Sequence, residues 1–190
     1  RVFEVLDEEV VIQDRPNAKR LEKVKGRIVF RNVSFRYSEA GDYVLKDIDF
    51  QVEPGMSLAV VGPSGAGKST LVNLLLRLYE PSEGRVLLDD YDIRDIRLSS
   101  LRQHISVVPQ EPVLFSGTIA ENIVYGRQNA TPDRVMAAAK AAELHDYVMT
   151  LPEKYEARVG ERGSNFSGGQ KQRLSFAMAI LTDPSILVLD

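Results

Sequence analysis

Apolar and polar positions along the chain change period several times, and each change marks an element. Between residues 27 and 37, Ile28, Phe30, Val33 and Phe35 alternate with polar neighbours, with one slip near Asn32. A period of two with one polar side predicts a half-exposed antiparallel strand. The cluster Ser38-Glu39-Ala40-Gly41-Asp42 turns the chain, a second strand follows over 44–52, and Glu53-Pro54-Gly55 ends it. Residues 58–61 (Leu, Ala, Val, Val) form an unalternating aliphatic run, which predicts a strand buried on both faces of a parallel sheet. Leu71, Leu74, Leu75 and Leu78 then take the spacing of a helix packed on that sheet. A strand over 85–89, a short helix near 101–104 and a buried strand over 105–108 come next.

From residue 111 to 165 the pattern becomes helical and broken. Thr131-Pro132-Asp133 combines a cap with proline in the first turn and opens an alanine-rich helix to about residue 142; a shorter helix ends before Leu151-Pro152. Leu174, Ala177, Met178 and Leu181 mark one more helix, stopped by Asp183-Pro184, and residues 186–189 (Ile, Leu, Val, Leu) read as a third buried strand ending in Asp190. A small helical lobe is thus set into an α/β core. At the start, residues 1–12 predict a short helix with Val2, Phe3 and Leu6 on one face, and 13–25 a polar linker.

Composition narrows the function classes. A chain of 190 residues supports one domain with a substantial core and room for a smaller lobe. A net charge of −3 gives no general reason to expect nucleic acid or an anionic membrane surface. The absence of cysteine excludes disulfide frameworks, thiol catalysis and cysteine-ligated zinc. No apolar run approaches the roughly 20 residues that span a bilayer, so a membrane role would come through a partner or a further segment. Arg1 and Asp190 read as cuts in a longer chain. His104 and His145 read as surface residues, and Lys19, Arg20, Lys23, Lys25 and Arg27 as a solvated basic stretch.

The chemistry begins at Gly62, Pro63, Ser64, Gly65, Ala66, Gly67, Lys68, Ser69 and Thr70, between the apolar run and the leucine helix. Glycines let successive N–H groups curl inward around an anion, and the helix start adds its unpaired donors and positive dipole end. Lys68 is placed to reach β- and γ-phosphates and the Ser69 hydroxyl to ligate Mg²⁺. An ordinary glycine turn would match this pattern by accident in roughly one such chain in a hundred. Nucleoside triphosphate binding is the reading.

Four further candidates carry two readings each. Tyr37, closing the first strand, offers either a ring for base stacking or an ordinary strand surface. Gln110, at the end of a buried strand, is either a Mg²⁺ or water ligand or a loop glutamine. Asp190 fits an acidic partner to the phosphate-site Mg²⁺ or a chance acid after a strand. Ser167, Gly168, Gly169 and Gln170 open a helix as a second anion site or as a plain glycine-rich start.

Phe166-Ser167-Gly168-Gly169-Gln170 together with the 62–70 loop resembles the nucleotide-binding domain of ABC transporters, of the exporter type with this domain fused behind its membrane helices. The likeness runs along the whole chain. It implies an α/β fold with a P-loop NTPase (RecA-like) core, an N-terminal antiparallel β-subdomain and an inserted α-helical subdomain. It also implies a partition: 1–26 linking to a transmembrane domain, 27–110 and 171–190 forming the ATP-binding core, and 111–170 the helical signature subdomain. ATP and Mg²⁺ are the implied cofactors. Lys68 and Gln110 take catalytic roles, Gln110 also sensing the ATP state, and Ser69, Gln110 and Asp190 form the metal set. Tyr37 stacks adenine. Ser167, Gly168, Gly169 and Gln170 cap the γ-phosphate of ATP held by a second nucleotide-binding domain, identical or not.

Residues 158–163 and 113–115 resemble the segments that meet the coupling helices of the transmembrane domain, and residues 1–9 the exit from its last helix. The domain is expected at the cytoplasmic face of a membrane, with no nucleic-acid partner. Phe166 stands where leucine is usual and keeps the position apolar. A glutamate expected after Asp190 and a later switch histidine fall outside the sequence, so residues 1–190 alone are expected to bind ATP without turning it over at a useful rate. A soluble ABC-type ATPase of translation or DNA repair is the alternative, sharing both anion sites but no membrane partner.

Overall fold

The computed structural model of the chain describes residues 12–190. The helix expected over 1–12 and the membrane exit over 1–9 therefore lie outside the described residues, apart from Ile12. The chain forms two compact units, one ending at Arg102 and one running from Gln103 to Asp190.

The first unit is built on an antiparallel sheet. Strands β1 (Ile28–Phe35), β2 (Leu45–Val52), β3 (Glu83–Leu88) and β4 (Tyr91–Asp92) lie in the order β2-β1-β3-β4. The expected apolar positions Phe30, Val33 and Phe35 of β1 are buried, but Val29 and Ser34 are buried with them and only Arg31 and Asn32 are exposed, because β2 and β3 flank the strand on both sides. The slip near Asn32 is a bulge. Pairing with β2 shifts register between Phe30 and Val33, pairing with β3 between Arg31 and Ser34, and Asn32 adopts φ +47°. Gly84 crosses this bulge at φ +76°, where an added Cβ would lie 2.2 Å from the Asn32 carbonyl oxygen. Only glycine fits there.

Helix α1 (Lys68–Leu75) is shorter than its leucine pattern, which ran on to Leu78. It ends in a Schellman turn: Arg77 N–H donates to Leu74 O, Leu78 N–H to Asn73 O, and Arg77 sits at φ +50° where glycine is usual. Leu78 is thereby turned outward. The strained position is held by a buried guanidinium. Arg77, 2% exposed, donates to Glu80 at 2.8 Å and to the Gln13 carbonyl at 2.9 Å, while Arg102 donates to the Leu76 and Arg77 carbonyls.

The polar stretch read as a linker is tied down rather than loose. Asp14 accepts from Leu98 N–H, Arg15 pairs with Asp95, Lys19 N–H donates to the Asp95 carbonyl while the Lys19 carbonyl accepts from Arg97 N–H, and Asp89 accepts from the N–H groups of Lys25, Gly26 and Arg27.

The run 58–61 does not become the expected strand. No ladder joins it to the four strands of its unit, and Leu58, Val60 and Val61 are exposed. Aliphatic content states a preference for burial, but a strand also needs backbone partners, and the unit's sheet closes at β2 and β4 without it.

The second unit pairs β5 (Ile105–Val108) with β8 (Ile186–Leu189) in parallel, Ile105 opposite Ile186 and Val108 opposite Leu189. The burial expected of β8 is only half met: Leu187 is 43% and Leu189 61% exposed. Among the described residues β8 pairs with β5 alone, so one edge and one face lack cover. Helix α2 (Leu98–Gln103) forms near the short helix expected at 101–104; in the second unit α3 (Ile119–Val124) is a helix the broken pattern did not predict, while α4 (Pro132–Ala141), α5 (His145–Thr150) and α6 (Gly168–Leu181) follow the expected pattern. Their core gathers Ile119, Ile123, Leu144, Val148, Leu174 and Ala177. The two histidines are half-buried rather than at the surface, and His145 Nδ1 lies 2.8 Å from the Tyr155 hydroxyl.

Replacing Arg77 by Ala strands Glu80 and the Gln13 carbonyl and leaves φ +50° unsupported. We expect a loss of about 2–4 kcal/mol, read from the urea midpoint; a loss under about 0.5 kcal/mol, the scale of a plain surface change, would contradict this role.

Candidate nucleotide and signature sites

The loop before α1 is shaped by left-handed glycines. Gly65 stands at φ +81° and Gly67 at φ +85°. Gly67 is also the residue that caps α1, and it makes no side-chain cap bond. A Cβ there would meet Leu45 Cδ2 at 2.7 Å and the Val44 carbonyl at 3.3 Å. The first α1 donors are left to an external acceptor by helix geometry. Lys68 Nζ donates to the Gly62 carbonyl at 2.9 Å and the Pro63 carbonyl at 2.8 Å, folding the ammonium over the loop mouth. A phosphate oxygen offers that ammonium a full negative charge in place of two neutral carbonyls, so the exchange is downhill. The loop fits a polyphosphate.

Tyr37 is brought to this loop. Its hydroxyl lies 3.0 Å from Thr70 Oγ1, and its ring, 54% exposed, meets Phe35 edge-on at 4.8 Å and Tyr79 at 5.1 Å. Within one unit, then, Gly62, Pro63, Ser64, Gly65, Ala66, Gly67, Lys68, Ser69, Thr70 and Tyr37 form one neighbourhood.

The other predicted ligands belong to the second unit. Gln110 follows β5 and Pro109 and is exposed; Asp190 follows β8, and its N–H donates to the Val108 carbonyl at 3.0 Å. The parallel register thus brings both to the C-terminal edge of one strand pair. Among the described residues no group of three His, Cys, Asp or Glu side chains clusters as a metal site. The predicted set is instead a hydroxyl, an amide and one carboxylate, hard oxygen donors of the kind Mg²⁺ takes with substrate phosphates.

Ser167 caps α6 through a reciprocal box: its Oγ accepts from Gln170 N–H at 3.3 Å, and Gln170 Oε1 accepts from Ser167 N–H at 2.8 Å. The Gln170 side chain is therefore occupied in shaping the cap. Gly168 and Gly169 are exposed, have φ outside the left-handed region, and an added Cβ at either meets nothing within 4 Å. Their own fold places no demand for glycine at either position.

Of the segments singled out from sequence, 158–163 is paired with the chain just after 113–115. Gly117–Thr118 (β6) pairs antiparallel with Arg158–Val159 (β7). Asn165, just before the capped helix, donates to the Arg158 carbonyl and accepts from Gly160 N–H, each at 2.8 Å, and Lys171 donates to the Arg162 carbonyl at 3.1 Å. The cluster at 113–115 divides: Leu114 is core, whereas Val113 and Phe115 are exposed, Phe115 stacking on Tyr125 at 4.0 Å. Buried Asn122 fixes this loop through Phe115 N–H, the Phe115 carbonyl and the Thr118 carbonyl. Sequence reasoning missed Tyr79, Asn122, Tyr125 and Asn165. The position of Tyr79 just beyond the predicted leucine helix was the available signal; Tyr125 follows a helix that the sequence did not predict, and the two asparagines carried no signal.

Comparison with known proteins gives the family and the fold. The family model described as ABC transporter matches residues 45–190. Human ATP-binding cassette sub-family B member 6 is 51% identical over 189 residues, covering all of this chain and 22% of that protein. The putative multidrug export ATP-binding/permease protein YgaD of Bacillus subtilis is 47% identical, with 33% of its length covered. A solved bacterial Atm1-family ABC exporter with ATP bound superposes with a TM-score of 0.92 at 44% identity, over 99% of this chain and 33% of that one. The chain thus spans between about a fifth and a third of the length of these relatives. The fold is accordingly an α/β P-loop NTPase core with an antiparallel layer and a helical subdomain.

Replacing Lys68 by Ala removes the only loop ammonium and is expected to weaken triphosphate binding by at least about tenfold, measured by calorimetry. Binding unchanged within error would refute the assignment.

Proposed function

This chain belongs to the ABC transporter family, and on that premise we propose that it is the ATP-driven motor of a membrane exporter. The observation that carries the reading is the pair of glycine-built helix starts, one in each unit. At the loop before α1, Gly65 and Gly67 are forced by positive φ, and Gly67 by close neighbours as well. The start of α6 has glycines that nothing in its own surroundings requires. Two small residues that the surrounding fold does not require leave room for something that arrives from outside. The fitting visitor is the γ-phosphate of ATP held by the 62–70 loop of a second nucleotide-binding domain, with the unpaired N–H groups of Gly168 and Gly169 as donors.

Tyr37 stacks the base. The 62–70 backbone and Lys68 hold the triphosphate. Ser69, Gln110 and Asp190 hold Mg²⁺, which when bound neutralises charge on the β- and γ-phosphates. Ser167, Gly168, Gly169 and Gln170 close the partner's site. Two domains meet head to tail, each lending one half-site, and the pair closes only as far as ATP binds the closed form more tightly than the open one. The intact protein hydrolyses the ATP and reopens.

The partner surface in this reading is the 113–118 and 158–163 region, where exposed Val113, Phe115 and Tyr125 offer an apolar seat to coupling helices of a transmembrane domain. Asn165 and Lys171 tie that seat to the signature helix. Residues 27–110 and 171–190 act as the nucleotide core, 111–170 as the signature subdomain, and 1–26 as the connection to the membrane part at its cytoplasmic face. Among the described residues no helix is long and apolar enough to cross a membrane. Gln110 reports the ATP state to the seat.

Gly169→Ala separates the readings. Within the fold it meets open space, and alanine in a helix favours folding by up to about 1 kcal/mol. We expect an unchanged or raised melting temperature together with loss of nucleotide-dependent pairing. Intact pairing, or a fall in melting temperature, would contradict a glycine kept for a visiting phosphate. A polypeptide of residues 1–190 is further expected to bind ATP without sustained phosphate release; robust turnover by it would overturn that expectation.

A further inference from the structure

We propose that Tyr79 is a positioning residue for the nucleotide base. With Phe35 it fixes the plane of the Tyr37 ring, while the Tyr37 hydroxyl fastens that ring to Thr70 of the phosphate loop. The inference rests on the nucleotide reading above and adds to it the residue that makes the base platform rigid.

The geometry is a triangle of rings. Phe35 and Tyr37 lie 4.8 Å apart at 83°, Tyr37 and Tyr79 5.1 Å apart at 88°, and Phe35 and Tyr79 5.6 Å apart at 58°. Two near-perpendicular contacts from different neighbours leave one ring little freedom to tilt, because each favours the edge-to-face arrangement. The hydroxyl bond to Thr70 Oγ1, at 3.0 Å, blocks the remaining swing about the side-chain axis. Thr70 is 5% exposed and sits in the first turn of α1, so that end of the brace is anchored in packed structure.

Burial separates positioning from ordinary packing. Phe35 is 3% exposed and belongs to the core of the sheet. Tyr79 is 42% exposed and Tyr37 54%, so neither is placed there chiefly to remove its ring from water. Tyr79 instead stands just beyond the Schellman turn that ends α1, two residues after Arg77. One short helix therefore carries the phosphate loop at its start, through Thr70 the hydroxyl clasp, and beyond its end the ring that steadies Tyr37. A helix of eight residues is about 12 Å long, comparable to the reach from a nucleotide's base to its terminal phosphate. The same rigid element thus sets both ends of the ligand. A base platform braced in this way loses less freedom when a base stacks on it than a tyrosine that must first be ordered.

The test uses the full chain and two ligands, a non-hydrolysed imido analogue of ATP and inorganic tripolyphosphate, titrated calorimetrically. Tyr79→Ala is expected to weaken the analogue about three- to tenfold and to leave tripolyphosphate unchanged within error. Tyr79→Phe, which keeps the ring, restores the analogue affinity. Should Tyr79→Ala not fold, Tyr79→Leu keeps apolar bulk without a ring edge and is expected to show the same selective loss. Equal weakening of both ligands, no weakening of either, or failure of Phe to restore affinity would overturn the proposal. If the unmodified chain bound the analogue no more tightly than tripolyphosphate, the base-stacking reading itself would fall, and this proposal with it; an analogue preference that survives Tyr79→Ala overturns the proposal alone.

Discussion

Helix starts with unpaired N–H groups are the constraint on which the rest of this protein depends. Backbone donors that no internal carbonyl can reach must be satisfied by something, and an anion satisfies several at once while meeting the positive end of the helix dipole. The chain builds two such starts by different means. At α1 glycine is compulsory at Gly67, where φ +85° and the nearby Leu45 and Val44 exclude a side chain. At α6 the cap is closed neatly by Ser167 and Gln170, and the intervening glycines are left facing open space. In the proposed function one start holds an anion and the other is offered to one.

The remaining structure reads as bracing for these two positions. Around α1, the buried Arg77 holds a left-handed helix end, ties it to Gln13, and is itself capped by Arg102. Around α6, Asn165 and Lys171 fasten the loop at 158–163 to the helix start, and β6–β7 carries that connection to the exposed aromatic pair Phe115 and Tyr125. A displacement at the aromatic seat would therefore be passed to the cap through hydrogen bonds of 2.8 to 3.1 Å rather than through loose chain. This gives the proposed coupling a material path within one unit.

Much of this was readable from the residues, and the limits have physical causes. Local patterns transferred well: the slip near Asn32 is the bulge opposite Gly84, Ser167 is the cap, and Pro132 opens its helix. What pattern could not supply was cover. Residues 58–61 and the outer side of β8 are as apolar as buried strands, yet exposed, because hydrophobicity states a demand that only neighbouring backbone can meet. The leucine period ran past Leu75 because it is blind to a turn held by a buried arginine. Contacts distant in sequence, such as Tyr37 with Thr70 or Asn165 with Arg158, left no periodic trace. The assignment of Tyr37 and Gln110 above an ordinary surface tyrosine and loop glutamine came from family resemblance, not from spacing.

In the proposed pairing this chain owns half of each of two shared ATP sites. The most direct test mixes a Lys68→Ala chain with a Ser167→Arg chain and follows association by sedimentation velocity with a non-hydrolysed ATP analogue. Each variant alone has one half of every shared site broken and should stay unpaired. The mixture contains one arrangement in which an intact loop faces an intact signature helix, so pairs should reappear carrying a single nucleotide each. Pairing by either variant alone, or a mixture that never pairs although the unmodified chain does, would contradict the shared-site account.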